Sequence, residues 1–146
     1  MNENLEKQLA FIMELDKIKK ITRQTYISDG SRKENDAEHS WHLAVMCFVL
    51  AEYSNEPIDV LKTMKMVLMH DVIEIDAGDT YAYDAEGNKT KRARELKAAE
   101  RIYAILPQLQ AAKKMSLPLF FNAIAIVRYA FFASPLAGKL QKSYFR

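Results

Sequence analysis

Apolar positions recur at helical spacing along most of the chain. Leu5, Leu9, Ile12, Leu15 and Ile18, with charges between them, predict an amphipathic, core-facing helix over residues 3–20. Residues 21–34 lose that period and predict a loop, with Ser28-Asp29-Gly30-Ser31 as its turn centre. Asn35 or Asp36 can cap the next helix, with Glu38 in its first turn. That helix, over residues 37–54, carries Trp41, Val45, Phe48, Val49 and Tyr53 and is expected to be largely buried.

Ser54-Asn55-Glu56 predicts a turn, and Pro57 suits the first turn of a new helix. Ile58, Leu61, Met64, Val67, Leu68 and Ile75 continue one apolar face to Ala77, and Gly78 is a natural stop. A further loop follows, with Glu86-Gly87-Asn88 as its turn. Thr90 then caps a predicted helix that aligns Leu96, Ala99, Ile102, Tyr103 and Leu106 before Pro107. No alternating strand pattern and no internal repeat is visible, so the predicted fold class is all-α.

Composition adds limits. The 146 residues are 49% hydrophobic and 27% charged, which suits one soluble domain with a real core. The single Cys47 excludes an internal disulfide and, on an apolar helix, reads as a small core residue. The opening MNENLEKQ does not resemble a secretory signal, so a cytoplasmic location is expected. The apolar run 117–133 is short for a bilayer and is interrupted by Arg128, which favours a buried or misplaced helix over a membrane anchor.

Charge is distributed unevenly. All 19 acidic residues fall at or before Glu100, beside 14 basic ones, whereas residues 101–146 hold 7 basic residues and no acid. The late positive charges are dispersed among apolar residues with no reading motif, so nucleic-acid binding is not expected.

The chemistry concentrates where the third apolar helix ends. His70, Asp71 and Glu74 follow the run from Met64 to Met69, with Asp76 and Asp79 just behind. Burying such charges costs several kcal/mol unless they pair or hold a cation. On a regular helix His70 and Glu74 share a face, with Asp71 beside it. These residues cannot close a metal site alone, and His39, at a helix end beside a polar loop, is the candidate further ligand. Imidazole and carboxylate donors with open positions suit Mn²⁺, Co²⁺, Fe²⁺ or Zn²⁺, and such an ion makes water a usable nucleophile. Glu74 is then a candidate general acid or base. His42 offers a competing pair with His39 but is expected to pack or to support the ligands from behind. Arg23 by itself reads as a solvated surface charge.

Taken together, Glu38-His39-Ser40, His70-Asp71-x-x-Glu74 and Gly78-Asp79 resemble the HD-domain metal-dependent phosphohydrolases, and most closely their small 5′-deoxynucleotidase-like branch. The resemblance covers about residues 5–107. It implies an HD-domain helical bundle, a divalent metal cation (Mn, Co or similar), a deoxyribonucleoside 5′-monophosphate as small-molecule substrate, and a homodimer. It further implies that His39, His70 and Asp71 are metal ligands and that Glu74 is the catalytic acid. Arg23 would bind the phosphate and Asp79 would lie near the sugar hydroxyl.

One element of the resembled pattern is missing. The family pattern takes a fourth ligand from an Asp on a later helix, yet this chain has no Asp after Asp84 and no carboxylate after Glu100. The sequence therefore divides into an HD-like core over residues 1–107 and an atypical basic and apolar segment over residues 108–146, out of frame or replaced. The alternative is a variant that lost a ligand and serves as a weak enzyme or as a non-catalytic nucleotide- or partner-binding module.

Overall fold

Residues 2–54, 57–81 and 83–106 are described by the computed structural model. The predicted segment 108–146, with its apolar run 117–133, lies outside them, as do Pro107 and the Asn55-Glu56 part of the predicted turn. In chain order the elements are α1 (Glu3–Leu15), a 3₁₀ turn, β1 (Thr22–Tyr26), β2 (Lys33–Asn35), α2 (Asp36–Val49), a second 3₁₀ turn, α3 (Val60–Met69), the single turn α4 (Glu74–Ala77) and α5 (Ala85–Ile105). The fold is predominantly helical, as the periodicity predicts. No helix among the described residues is long and apolar enough to cross a membrane.

Residues 21–34 differ from the expected loop. They form an antiparallel hairpin in which Thr22 pairs with Asn35 and Tyr26 with Lys33, across an irregularity in the ladder. Gly30 takes φ of 74° in the turn, at the predicted turn centre. The strand was hidden because its inward positions are Arg23 and Thr25, so β1 alternates without an apolar face.

The core lies where α1, the turn after it, α5 and the α3–α4 link meet. Phe11, Ile18, Val72 and Ile102 are its buried centre, with Leu15, Met69, Ile75 and Ile105 packed around them. A second cluster joins α2 to α3 through Ala44, Cys47 and Val67, so Cys47 is the small core residue expected. Helix α1 offers two overlapping apolar stripes, and packing selects Phe11, Leu15 and Ile18, while Leu5, Leu9 and Ile12 stay exposed. The predicted burial of α2 is likewise only partial. Ala44 and Cys47 face inward, whereas Trp41, Phe48, Val49 and Tyr53 are exposed.

Two further elements are shifted from expectation. Helix α5 begins at Ala85, not after Thr90, because the Asp84 carboxylate accepts a bond from the Gly87 amide at 2.9 Å. A Cβ on residue 87 would lie 2.4 Å from Asp84 Oδ2, so glycine here permits the cap rather than breaking the helix. The predicted continuous helix through Ala77 also stops at Met69. Beyond it the amides of Glu74, Ile75 and Asp76 bond to carbonyls three residues back, a tightened 3₁₀-like winding. Val72, 2% exposed, anchors this tight segment in the core and leaves its polar neighbours at the site.

Arginines on α5 hold the segment in place. Arg101 bonds Glu14 of α1 at 2.5 Å and Asp76 of α4 at 2.8 Å. Arg94 bonds the Ala77 carbonyl and, at 2.7 Å, the Thr80 hydroxyl, which frames Gly78 and Asp79.

Candidate metal centre

The start of α2 is fixed by a reciprocal cap. Asn35 Oδ1 accepts from the Glu38 amide at 3.0 Å, and Glu38 Oε2 accepts from the Asn35 amide at 3.2 Å. This sets Glu34 in the middle of β2, Asp36 as the first helical residue and His39 one turn in. Glu34 is buried, and its Oε2 lies 3.2 Å from Nδ1 of His39. A carboxylate on one ring nitrogen fixes the tautomer and leaves Nε2 as the candidate ligand atom.

His70 is oriented by its own helix end. Its Nδ1 lies 2.6 Å from the Val67 carbonyl, an acceptor, so Nδ1 carries the proton. The other nitrogen, Nε2, lies 2.8 Å from Asp71 Oδ2. Two lone pairs that close require a proton or a cation between them. The His39 and His70 rings approach to 5.6 Å between centroids, and one donor atom from each of His39, His70 and Asp71 lies within 4.8 Å of the others. Two imidazoles and a carboxylate, each imidazole with its second nitrogen engaged, fit a divalent transition metal.

A second group shares Asp71. Donor oxygens of Asp36, Asp71 and Glu74 also lie within 4.8 Å of one another, all three residues being buried. The tight winding of residues 70–73 explains this. It brings Asp71 and Glu74, three residues apart, together, where a regular helix would have aligned His70 with Glu74. Arg23 reaches in from β1, and its Nη1 donates to Asp36 Oδ1 at 3.0 Å and to Asp71 Oδ2 at 2.8 Å. Its reading as a solvated surface charge is corrected, since the guanidinium is an inward-facing member of the cluster.

These environments push the carboxylates apart. Burial, followed by the charges of Asp71 and Asp36, pushes Glu74 up to about 9, so it is protonated at neutral pH. Burial and Asp71 also raise Asp36, against the pull of Arg23. Burial opposes the charge on Asp71 as well, but His70, Arg23 and His39 outweigh it and hold Asp71 below the usual range.

Asp79 sits at the edge of the cluster, where its Oδ2 accepts from the Gln24 amide at 3.3 Å. His42 does not join His39 in either group and instead stacks on Trp41. Among the described residues, the buried side-chain polar atoms without a hydrogen bond are Arg23 Nε, Thr25 Oγ1, Asp36 Oδ2, Ser40 Oγ and Glu74 Oε2. These atoms fall in β1, in the first turns of α2 and at Glu74, around the candidate ligands. The site thus brings together all six residues singled out in the sequence and adds Glu34 and Asp36. The available signal for these two was a pair of carboxylates flanking the cap residue Asn35, just before His39.

A model of the HD domain matches residues 15–123. The chain belongs to the HD-domain family. Among solved structures it is similar to a protein from Magnetospirillum magnetotacticum MS-1 described as a predicted metal-dependent phosphohydrolase, at 46% identity and a TM-score of 0.73 over 88% of this chain. The chain spans 65% of that protein's length. A conserved hypothetical protein from Pyrococcus furiosus matches 84% of this HD-domain chain and 71% of its own length at 26% identity, with a TM-score of 0.58. A protein from Pyrococcus horikoshii OT3, at 24% identity and a TM-score of 0.53, shares the fold over 84% of this chain and 70% of its own length. No curated protein matches the chain.

Proposed function

We propose that this HD-domain protein is a metal-dependent phosphohydrolase that converts deoxyribonucleoside 5′-monophosphates to nucleoside and phosphate. The observation that carries the reading is the convergence of His39, His70 and Asp71 within 4.8 Å, beside the Arg23 guanidinium and the buried Glu74 carboxyl. The name of the Magnetospirillum relative supports the reaction class. His39, His70 and Asp71 would hold a divalent cation, which when bound would supply positive charge for the phosphoryl oxygens and lower the pKa of a water.

The chain's own groups do the rest. Arg23, whose Nε makes no protein bond, offers a donor to a phosphate oxygen. Hydrolysis forms a bond from water oxygen to phosphorus, with one water proton released to solvent, and breaks the bond from phosphorus to the 5′ oxygen, which must then receive a proton. Glu74, protonated by its burial, is suited to deliver it. Asp79, at the rim, is assigned to the sugar hydroxyl. The exposed apolar residues Trp41, Phe48 and Val49 on α2 support a homodimer through that face. Trp41→Asp should then shift the protein to monomer in sedimentation, and an unchanged mass would remove this interface.

The decisive assay measures phosphate release from a panel of deoxynucleoside monophosphates with Mn²⁺ or Co²⁺, using this chain, Glu74→Ala and His70→Ala. Release that needs metal and is lost in both variants supports the enzyme. Absence of release from folded, metal-loaded protein overturns it. A second reading is a non-catalytic module that binds a nucleotide through Arg23 and the polar cluster around it. It predicts nucleotide binding without turnover that survives Glu74→Ala.

A further inference from the structure

Asp36 is the most deeply buried charged residue among those described, at 0% exposure. Taking a carboxylate out of water costs several kcal/mol, and a helix start alone would be served by a residue of lower cost. What Asp36 gains is a bond from Arg23 Nη1 at 3.0 Å, with its own amide tied to the Ile21 carbonyl at 3.1 Å. It is the first residue of α2, where the helix dipole favours a negative charge. Asp71 shares the same Nη1 but also faces His70 and belongs to the candidate ligand set. Any hold that Asp71 has on Arg23 is therefore divided, whereas Oδ1 of Asp36 accepts from Arg23 and the Asp36 carboxylate's other neighbour is the Glu74 carboxyl. Both bonds fall on Nη1, and Nε is buried without a partner.

We infer that Asp36 is a positioning residue that clamps Arg23 by one nitrogen and so presents the rest of its fork to the oxygens of a phosphate group. The inference rests on the phosphohydrolase reading for the identity of the anion. Asp36 does not touch the substrate and acts through Arg23. Its contribution is to hold the guanidinium extended from the hairpin, so that little side-chain freedom is lost when the anion arrives.

The test is a double-mutant cycle on the full chain loaded with Mn²⁺, with inorganic phosphate as the probe and calorimetry as the readout. Asp36→Asn keeps the volume and one acceptor but removes the charge. It should weaken phosphate binding by about tenfold in the native background and have almost no effect in Arg23→Ala. Because Arg23 also bonds the proposed ligand Asp71, Mn²⁺ affinity is titrated in every variant and phosphate binding is compared at saturating Mn²⁺. In turnover the loss should fall mainly on KM. Asp36→Glu, which keeps the charge but displaces its oxygen, replaces Asn in the cycle if that variant does not fold. An equal loss in both Arg23 backgrounds, or no loss in either, overturns the positioning role. Native protein that does not bind phosphate overturns this role together with the phosphohydrolase reading. Native protein that binds phosphate yet releases none from any ester overturns that reading alone, and the cycle still decides Asp36.

Discussion

Nε2 of His70 lies 2.8 Å from Oδ2 of Asp71, its neighbour in sequence, while Nδ1 of the same ring is engaged by the Val67 carbonyl at 2.6 Å. The ring cannot turn away without losing that bond, so the second nitrogen is committed to the carboxylate side. A divalent ion at this point should stabilise the folded protein by roughly 2.7 kcal/mol when its free concentration is a hundred times its dissociation constant. Thermal unfolding with and without Mn²⁺ measures this. His70→Ala should abolish the gain, and an equal gain in the variant would place the ion elsewhere.

Glu34 fixes the other histidine. Because its carboxylate lies 3.2 Å from His39 Nδ1, Glu34→Gln should lower Mn²⁺ affinity by roughly 10–100-fold, the usual cost of removing a carboxylate behind a ligating histidine. Metal titration of the folded variant checks this. Unchanged affinity would show that Glu34 serves only the hairpin.

Glu74 makes stability depend on pH in a direction opposite to that of ordinary paired carboxylates. Its folded-state value of about 9 exceeds the unfolded 4.5, so the folded chain holds the extra proton between those values. Stability from this group is therefore full below about 4.5 and is lost as pH rises toward about 9. Glu74→Gln cannot ionise. In metal-free buffer it should be more stable than the native chain at pH 8 to 9 by several kcal/mol, and by less than about 1 kcal/mol at pH 5. Denaturant titrations at the two pH values test this, and a gap that does not widen with pH would contradict it.

Gly78 positions Asp79. With φ of 72° and ψ of 150° it occupies a region open essentially to glycine, although a Cβ there would meet nothing within 4 Å. The cost of Gly78→Ala is thus conformational, about 1–3 kcal/mol. Chemical denaturation should show that loss, and KM for a nucleotide should rise as Asp79 moves from β1. A neutral effect on both would mean that the turn relaxes without consequence.

Much of this architecture is present in local pattern. The 3.6-residue period marks the run of α2, α3 and α5, since a helix that buries one face must repeat apolar side chains at that interval. The order His39, then His70-Asp71-x-x-Glu74, marks the candidate site residues, because ionisable groups at the end of an apolar run need an unusual partner. Period says less about which face is covered. Leu5 and Phe11 both lie on apolar stripes of α1, and only packing against α5 chose the second.

Tertiary structure alone decided the hairpin, the tight winding after Met69 and the roles of Glu34 and Asp36. The reason is common to all of them. At a functional site the inward positions are polar, so β1 carries Arg23 and Thr25 where a strand would display apolar residues, and its alternation is silent in the sequence. Likewise Asp36 reads as one more capping residue until Arg23 and Asp71, 13 and 35 positions away, are folded against it. A carboxylate's meaning is set by the charges that reach it, and those arrive from elements distant in the chain.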